Sequence, residues 1–510
     1  MNSAPMNTQQ SLDRPRVVVW LGLFTGIIAD LLLRAEPPGL NLLLFGVLLG
    51  LALLVLQRTH RIALPRTSGY LIILAVVCLS SFVLRDSPAL NFFSLVSAFA
   101  ALSLAAYRAQ AGVLATGGTL QYVGALLRNS LGTWLGILPL VIHDVRWQRT
   151  DRSSRWASVG RGLLLALPPV IVFAALFASA DPIFGNLISF DMNTVISHGF
   201  VIGLGVWLSA GYGRELLLAR STVNVSVPDS ARAQWGFTET TILLGAVNAI
   251  FLAFVVVQIR TLFGGDAFVE SQTGLTYAEY ARRGFFDLVL VSALVLPLLL
   301  VVEWYGRRSS SREETTFRAL SHLLLLLLFA VLLSAVQRMR IYQLSYGMTE
   351  LRVYTMAFMV WLALVFTWLA VTVLRERRSW FASGATVLAL LVLAGLHLAD
   401  PDQVIMQVNL ERASRGLAFD TEYAATLSDD AVPSLVGALP ALAPDAGCRV
   451  LGNLAVRQER RAGAGWRTFN ISRSRATRLI SSALRNDPAR TTECEATVRA
   501  EASRDRRSQQ

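Results

Sequence analysis

Thr276–Tyr305 reads TYAEYARRGFFDLVLVSALVLPLLLVVEWY, and the change of character at Phe285 decides the fold. Phe285–Tyr305 holds 21 residues with one acid near each end, Asp287 and Glu303, and no base. A helix needs about 20 apolar residues to cross a bilayer, so this run is read as a span, kinked at Pro297. The polar head is read as its start. Thr276 and Glu279 have the spacing of a capping box. Glu279 then falls one turn before Arg282 and Arg283, within ion-pair reach. Two arginines belong at the headgroup level, and Tyr277 and Tyr280 suit the aromatic belt there.

Working outward, ten further apolar runs repeat the pattern. They are 17–33, 40–56, 70–84, 92–107, 162–179, 195–217, 240–262, 319–339, 353–374 and 381–398. That makes eleven expected spans in an all-α, polytopic bundle. Leu120–Ile142 is set apart because Arg128, Asn129, Gly132 and Pro139 interrupt it. A central Arg costs about 2.5–3.5 kcal/mol on insertion scales, so it is expected to be interfacial or re-entrant. If it spans instead, everything after it changes side.

The composition agrees with a membrane protein. Of 510 residues, 54% are hydrophobic and 16% charged, and the mean hydropathy is +0.51. The net charge is +12, and all 46 basic residues are Arg. They gather at the ends of apolar runs rather than on a basic helix or groove, so no nucleic-acid partner is expected. With the N-terminus inside and eleven spans, 22 arginines fall on the cytoplasmic side and 8 on the other. Leaving out the long 108–161 segment, the count is 15 against 8. The positive-inside rule then places residues 1–16 in the cytoplasm, 17–399 in the membrane, and the C-terminus outside. A plasma (inner) membrane location is expected.

From Asp400 the sequence changes again, with 16 Arg and 14 acids up to Gln510. Apolar spacing predicts helices at 402–414, 429–439, 448–461 and 472–484, forming a small extracytoplasmic helical domain over 400–490. Residues 491–510 are expected to be a flexible tail. Cys448 and Cys494 both lie in this region, and an oxidising compartment would let them pair. Cys78 sits in an apolar run. With no C-x-x-C pair, no Cys/His ligand spacing and five scattered His, no metal and no cofactor are expected.

Several stretches resemble an uncharacterised bacterial membrane-protein family, the domain-of-unknown-function group numbered 4173. They are NAIFLAFVVVQIRTLFGG (248–265) with TYAEYARRGFFDL, YQLSYGMTELRVY (342–354), NLERA (409–413) and WRTFNISR (466–473). The resemblance implies a bacterial multi-pass membrane protein. It supplies no catalytic residues.

The candidate site follows from the polar ends. Gln258/Arg260 and Gln337/Arg338/Arg340 close their runs, while Thr276/Glu279/Arg282 and Thr349/Glu350/Arg352 open the next. Two such hairpins have the look of an internal repeat, although these residue types are ordinary at interfaces. If they are neighbours, Arg282, Arg283, Arg338, Arg340 and Arg352 would line an external anion or lipid-phosphate pocket. Glu279, Glu350 and Asp181 would be its acids or its helix caps. Asp181 is also explained by turn chemistry in SADP (179–182). Three classes of function remain. A non-enzymatic envelope sensor, scaffold or regulator is preferred, with membrane lipids as partners and residues 400–490 meeting an external ligand or envelope protein. The others are a transporter or flippase using the arginine pocket, and an enzyme acting on a lipid-linked substrate.

Overall fold

The computed structural model describes residues 8–59, 64–111, 119–145, 192–218, 235–273, 285–375, 377–461 and 465–508, with isolated positions between 162 and 177. Among the described residues every named element is helical. Nine helices there are long and apolar enough to cross a membrane: Arg14–Leu33, Leu40–Thr59, Arg66–Leu84, Pro88–Gln110, Phe237–Ile259, Phe285–Tyr305, Ser311–Tyr346, Glu350–Arg375 and Phe381–Ala399. Each answers to an expected span. Of the run at 162–179 only isolated positions are described, and the polar head at 276–284 lies outside the described residues.

The chain divides into two units. One comprises Met1–Leu114, Leu120–Asn224 and Gly463–Ile471; the other comprises Ala115–Thr119, Val225–Ala462 and Ser472–Gln510. The first contains α1 (Thr8–Leu33), α2 (Leu40–Thr59), α3 (Arg66–Leu79), α4 (Ser81–Leu84), α5 (Pro88–Ala111), α6 (Thr119–Leu135), α7 (Ile137–Pro139) and α8 (Met192–Leu217). Apolar side chains gain little from meeting one another in lipid, so close backbone approach matters more. α1 and α8 meet in this way. A Cβ added to Gly26 would lie 2.5 Å from Val206 Cγ2, and one on Gly22 2.8 Å from Ala210 Cβ.

The interrupted segment proves to be two helices. Tyr122–Leu135 and Ile137–Asp144 meet at a 49° bend, and the second ends in a π-helical turn over Leu140–Asp144. A broken span and a re-entrant loop share this shape. Gly136 stands at the break, with Gly211 of α8 closely packed against it.

The second unit begins with α9 (Phe237–Thr273), α10 (Phe285–Tyr305), α11 (Ser311–Tyr346), α12 (Glu350–Thr372) and α13 (Phe381–Ala399). Leu244, Phe285, Leu299, Leu328, Met339 and Phe366 are among its fully or nearly fully buried centre. Leu326, Leu333 and Ile250 are exposed on the outside, a cost in water but the expected surface against acyl chains. α11 opens with a capping box, Ser310 to Glu313. At 36 residues it is about 54 Å long, well beyond a hydrocarbon core of about 30 Å. It therefore extends beyond the hydrocarbon core even when tilted.

Six helices follow: α14 (Pro401–Ser414), α15 (Thr421–Thr426), α16 (Val432–Ala438), α17 (Pro444–Glu459), α18 (Ile471–Asn486) and α19 (Pro488–Ser508). A single residue, Asp400, separates α13 from α14. It adopts φ +55°, its carboxylate accepts from the Gln403 N–H at 3.4 Å, and Pro401 occupies the first turn. α14 to α18 share a core of Ile405, Met406, Leu427, Val432, Leu454 and Ile480. A disulfide between Cys448 and Cys494 joins α17 to α19. Sequence spacing locates α14, α16, α17 and α18 to within a few residues and misses α15 and α19. Where a flexible end was expected at 491–510, the chain is helical to Ser508.

Candidate functional site

In the second unit, the polar residues of the 342–354 and 409–413 stretches converge. α11 ends at Tyr346, leaving carbonyls without helical partners. Arg412 of α14 supplies the donors, bonding the carbonyls of Gln343 (3.4 Å), Leu344 and Ser345 (3.0 Å). Gly347 then turns the chain at φ +80°, a region that favours glycine. Asn409 pairs with the next residue as a strand would. Its Oδ1 accepts from the Met348 N–H at 2.8 Å, and its Nδ2 donates to the Met348 carbonyl at 2.9 Å. A Cβ on Gly347 would stand 2.8 Å from that Oδ1, so the turn and the pairing both require the glycine.

α12 starts immediately after. Thr349, at the capping position, makes no side-chain cap bond. The hydroxyl of Tyr423 in α15 accepts the Glu350 N–H instead, at 2.8 Å. Arg352 donates to the Gly347 carbonyl, and its guanidinium lies 3.9 Å from the centre of the Tyr342 ring, a cation–π contact.

Behind this turn lies a set of carboxyl groups. Asp402 is fully buried. Its Oδ2 accepts from the Ser428 N–H at 3.3 Å and from the Ser428 hydroxyl, while its Oδ1 is buried without a hydrogen-bond partner among the described residues. Asp430 accepts from the hydroxyls of Ser428 (3.3 Å) and Ser472. Burial, and then the charges of Glu350 and Asp430, push the Asp402 carboxyl up to about 6 against the pull of the Ser428 bonds. Burial likewise pushes the Tyr423 phenol up to about 12. Asp429, next in sequence, is held by Arg457 at 3.2 Å and by Arg461. The chemistry on offer is the uptake of a proton by Asp402. Among the described residues no group of three His, Cys, Asp or Glu is placed to hold a metal ion.

The sequence-predicted site residues fare differently. Asp181, Glu279, Arg282 and Arg283 lie outside the described residues. Glu350 and Arg352 belong to the junction just described. Arg338 is buried and donates to Gln258 Oε1 at 2.9 Å, which also accepts from Ser334 at 2.8 Å, so it braces α11 against α9. Arg340 is exposed. The guanidinium groups of Arg338 and Arg352 are thus committed to acceptors of this chain. Sequence reasoning missed Asp402, Tyr423, Ser428 and Asp430. Asn409 and Arg412 stood within a noted motif but without a role.

In the first unit, the 466–471 part of the WRTFNISR stretch clasps the ends of helices. The Leu40 N–H donates to the Phe469 carbonyl at 2.9 Å. Asn470 Nδ2 donates to the carbonyls of Phe82 (2.8 Å) and Arg85 (2.9 Å). Arg467 donates to the Leu31 carbonyl at 2.5 Å. Nearby on α1, Asp30 Oδ2 meets His198 Nδ1 of α8 at 2.5 Å, a pair 168 residues apart in sequence.

Helices of this length and polarity define a multi-pass α-helical membrane protein. The family model that matches it is "Domain of unknown function (DUF4153)", over residues 71–438. The chain belongs to that family. The resemblance to the group numbered 4173 is corrected accordingly: its motifs are short and consist of residue types common at the ends of membrane helices, and WRTFNISR lies beyond the matched region. No curated protein and no solved structure matches the chain.

Proposed function

We propose that this is a non-enzymatic envelope protein, a sensor, scaffold or regulator of a bacterial plasma membrane, whose residues 400–490 form an extracytoplasmic helical domain. One observation carries the reading: these helices are hydrogen-bonded directly to the ends of membrane helices, through Asn409, Arg412 and Tyr423. A partner gripped by them is therefore coupled to the spans. Asp402 and Asp430 nearby are buried and bonded to Ser428 and Ser472 of the same helical domain, which favours a mechanical role over catalysis.

Sidedness is supported by parity. The Phe469 carbonyl bonds to Leu40, directly after the first connection between spans. A return to that side by residue 469 favours an odd number of spans, such as eleven with 120–142 re-entrant. Arginine bias puts the N-terminus inside, and the Cys448–Cys494 disulfide suits an oxidising exterior.

Reporter fusions after Arg312 and after Asp400 are expected to read cytoplasm and exterior respectively, and the reverse would sink the sidedness. A photo-crosslinking residue at exposed Leu417 is expected to trap an envelope protein in cells. A scan of exposed positions over 400–490 that traps nothing would count against the scaffold.

One observation favours a transporter as the second reading. Beside the break at Gly136, Glu215 is buried with Gln110 Nε2 at 3.0 Å and Arg214 at 3.1 Å, and broken helices beside buried polar groups are a transporter device. Proton flux into vesicles holding the purified protein, abolished by Glu215→Gln, would establish that reading. Flux no greater than in empty vesicles removes it for protons.

A further inference from the structure

We propose that the segment Trp466–Ile471 is a membrane-interface anchor, seated in the headgroup–acyl boundary of the bilayer around the first unit. A loop bathed in water turns polar groups outward and apolar ones inward. This loop does the opposite. Thr468 and Asn470 point in and are buried, whereas Trp466, Phe469 and Ile471 are 67%, 45% and 48% exposed.

Its height follows from its bonds. Arg467 takes the carbonyl of Leu31, two residues before α1 ends, and Asn470 takes those of Phe82 and Arg85 at the end of α4. Those carbonyls mark where apolar helices leave the hydrocarbon. Leu31 and Leu84 are themselves exposed, so the outward face of the loop continues a surface that meets lipid. Trp is enriched at this depth, where its ring is half in apolar surroundings and its N–H can reach headgroups or water. The occupant is therefore lipid at the interface. The inference does not depend on which leaflet is involved, so it survives a reversal of the proposed sidedness.

The test is depth-resolved fluorescence of the full chain in vesicles containing phosphatidylcholine brominated either near the headgroup or near the chain end. Trp466 is one of 11 tryptophans, so its emission is taken as the difference between wild type and Trp466→Phe. Loss of that emission is expected to be greater with the shallow quencher. No quenching by either lipid would mean that water, protein or a second copy covers the loop, and stronger quenching by the deep lipid would place it within the hydrocarbon; both overturn the proposal. A second reporter, Phe469→Trp in the Trp466→Phe background, is expected to repeat the shallow preference, and its failure to do so counts equally against the proposal.

Discussion

The C-terminal fifth of the chain is attached to membrane helices in two ways, one in each unit. In the second unit the contacts are side chains that meet a turn: Asn409 on Met348, Arg412 on the end of α11, Tyr423 on the start of α12, with Asp402 buried behind. In the first unit they are the backbone of Phe469 and the amide of Asn470 on the carbonyls and N–H groups of connections. The first attachment contains a titrating acid among other acids. The second is made of groups that stay neutral and an arginine that stays charged. Two attachments that hold comparable numbers of hydrogen bonds should therefore answer differently to pH.

The largest expected effect follows from Asp402. Its folded carboxyl sits at about 6 against an ordinary 3.8. The sign follows directly: the folded state binds the proton more tightly, so the stabilisation is complete below about 3.8 and is lost as pH rises through about 6. A shift of roughly two units corresponds to about 3 kcal/mol. The junction is thus expected to be tighter at pH 4.5 than at 7.5, read as hydrogen-exchange protection of α14 and α15. Asp402→Asn should flatten the dependence and raise protection at 7.5. A wild-type profile that is flat between these values would show that burial, with Glu350 and Asp430 nearby, does not raise the Asp402 carboxyl in this way.

Next is Asn409→Ala, which strips both bonds from Met348 and leaves a partly buried N–H and carbonyl without them. The loss expected is about 2 kcal/mol, seen as faster proteolysis of the connection around Leu417 in the full chain. Asn470→Ala should cost rather less, about 1–2 kcal/mol, because the Leu40 bond to the backbone of Phe469 remains. Its cost should be the same at pH 4.5 and 7.5, measured as hydrogen-exchange protection of the Leu40 amide, corrected for the intrinsic rate at each pH. A cost that changes with pH would end the distinction between the two attachments.

Much of the fold was legible because it is written in run length. Twenty apolar residues announce a span locally, and α14, α16, α17 and α18 declared themselves by helical spacing, the first three with Pro or Asp near their starts. The missed elements had weaker local signals. α15 is six residues long, too short for a period to register, and α19 is rich in charged and small residues and is joined to the rest through Cys494. The site was less legible because it depends on distance in space. Glu350 and Asp402 stand 52 positions apart in the sequence, and nothing in either local stretch says that their charges interact. Arg338 and Arg352 looked like free cations because residue type records charge and not orientation. The same sequence reasoning could not tell that one lies against Gln258 and the other over Tyr342.

The smallest expected effect separates those arginines from the one that resembles them. Arg340 is exposed, and removing an exposed side chain away from special features changes stability by about 0.5 kcal/mol or less. Arg352→Ala instead takes a donor from the Gly347 carbonyl and a cation from the Tyr342 ring, and should loosen the same α14 and α15 amides that report on Asp402. If the arginines formed an external anion pocket, the two substitutions would weaken the binding of phosphate or a lipid phosphate alike and leave protection unchanged. If Arg352 is part of the attachment, only Arg352→Ala lowers protection, and Arg340→Ala is silent in both measurements. Hydrogen exchange on the two variants, with and without inorganic phosphate, decides between a pocket and a brace.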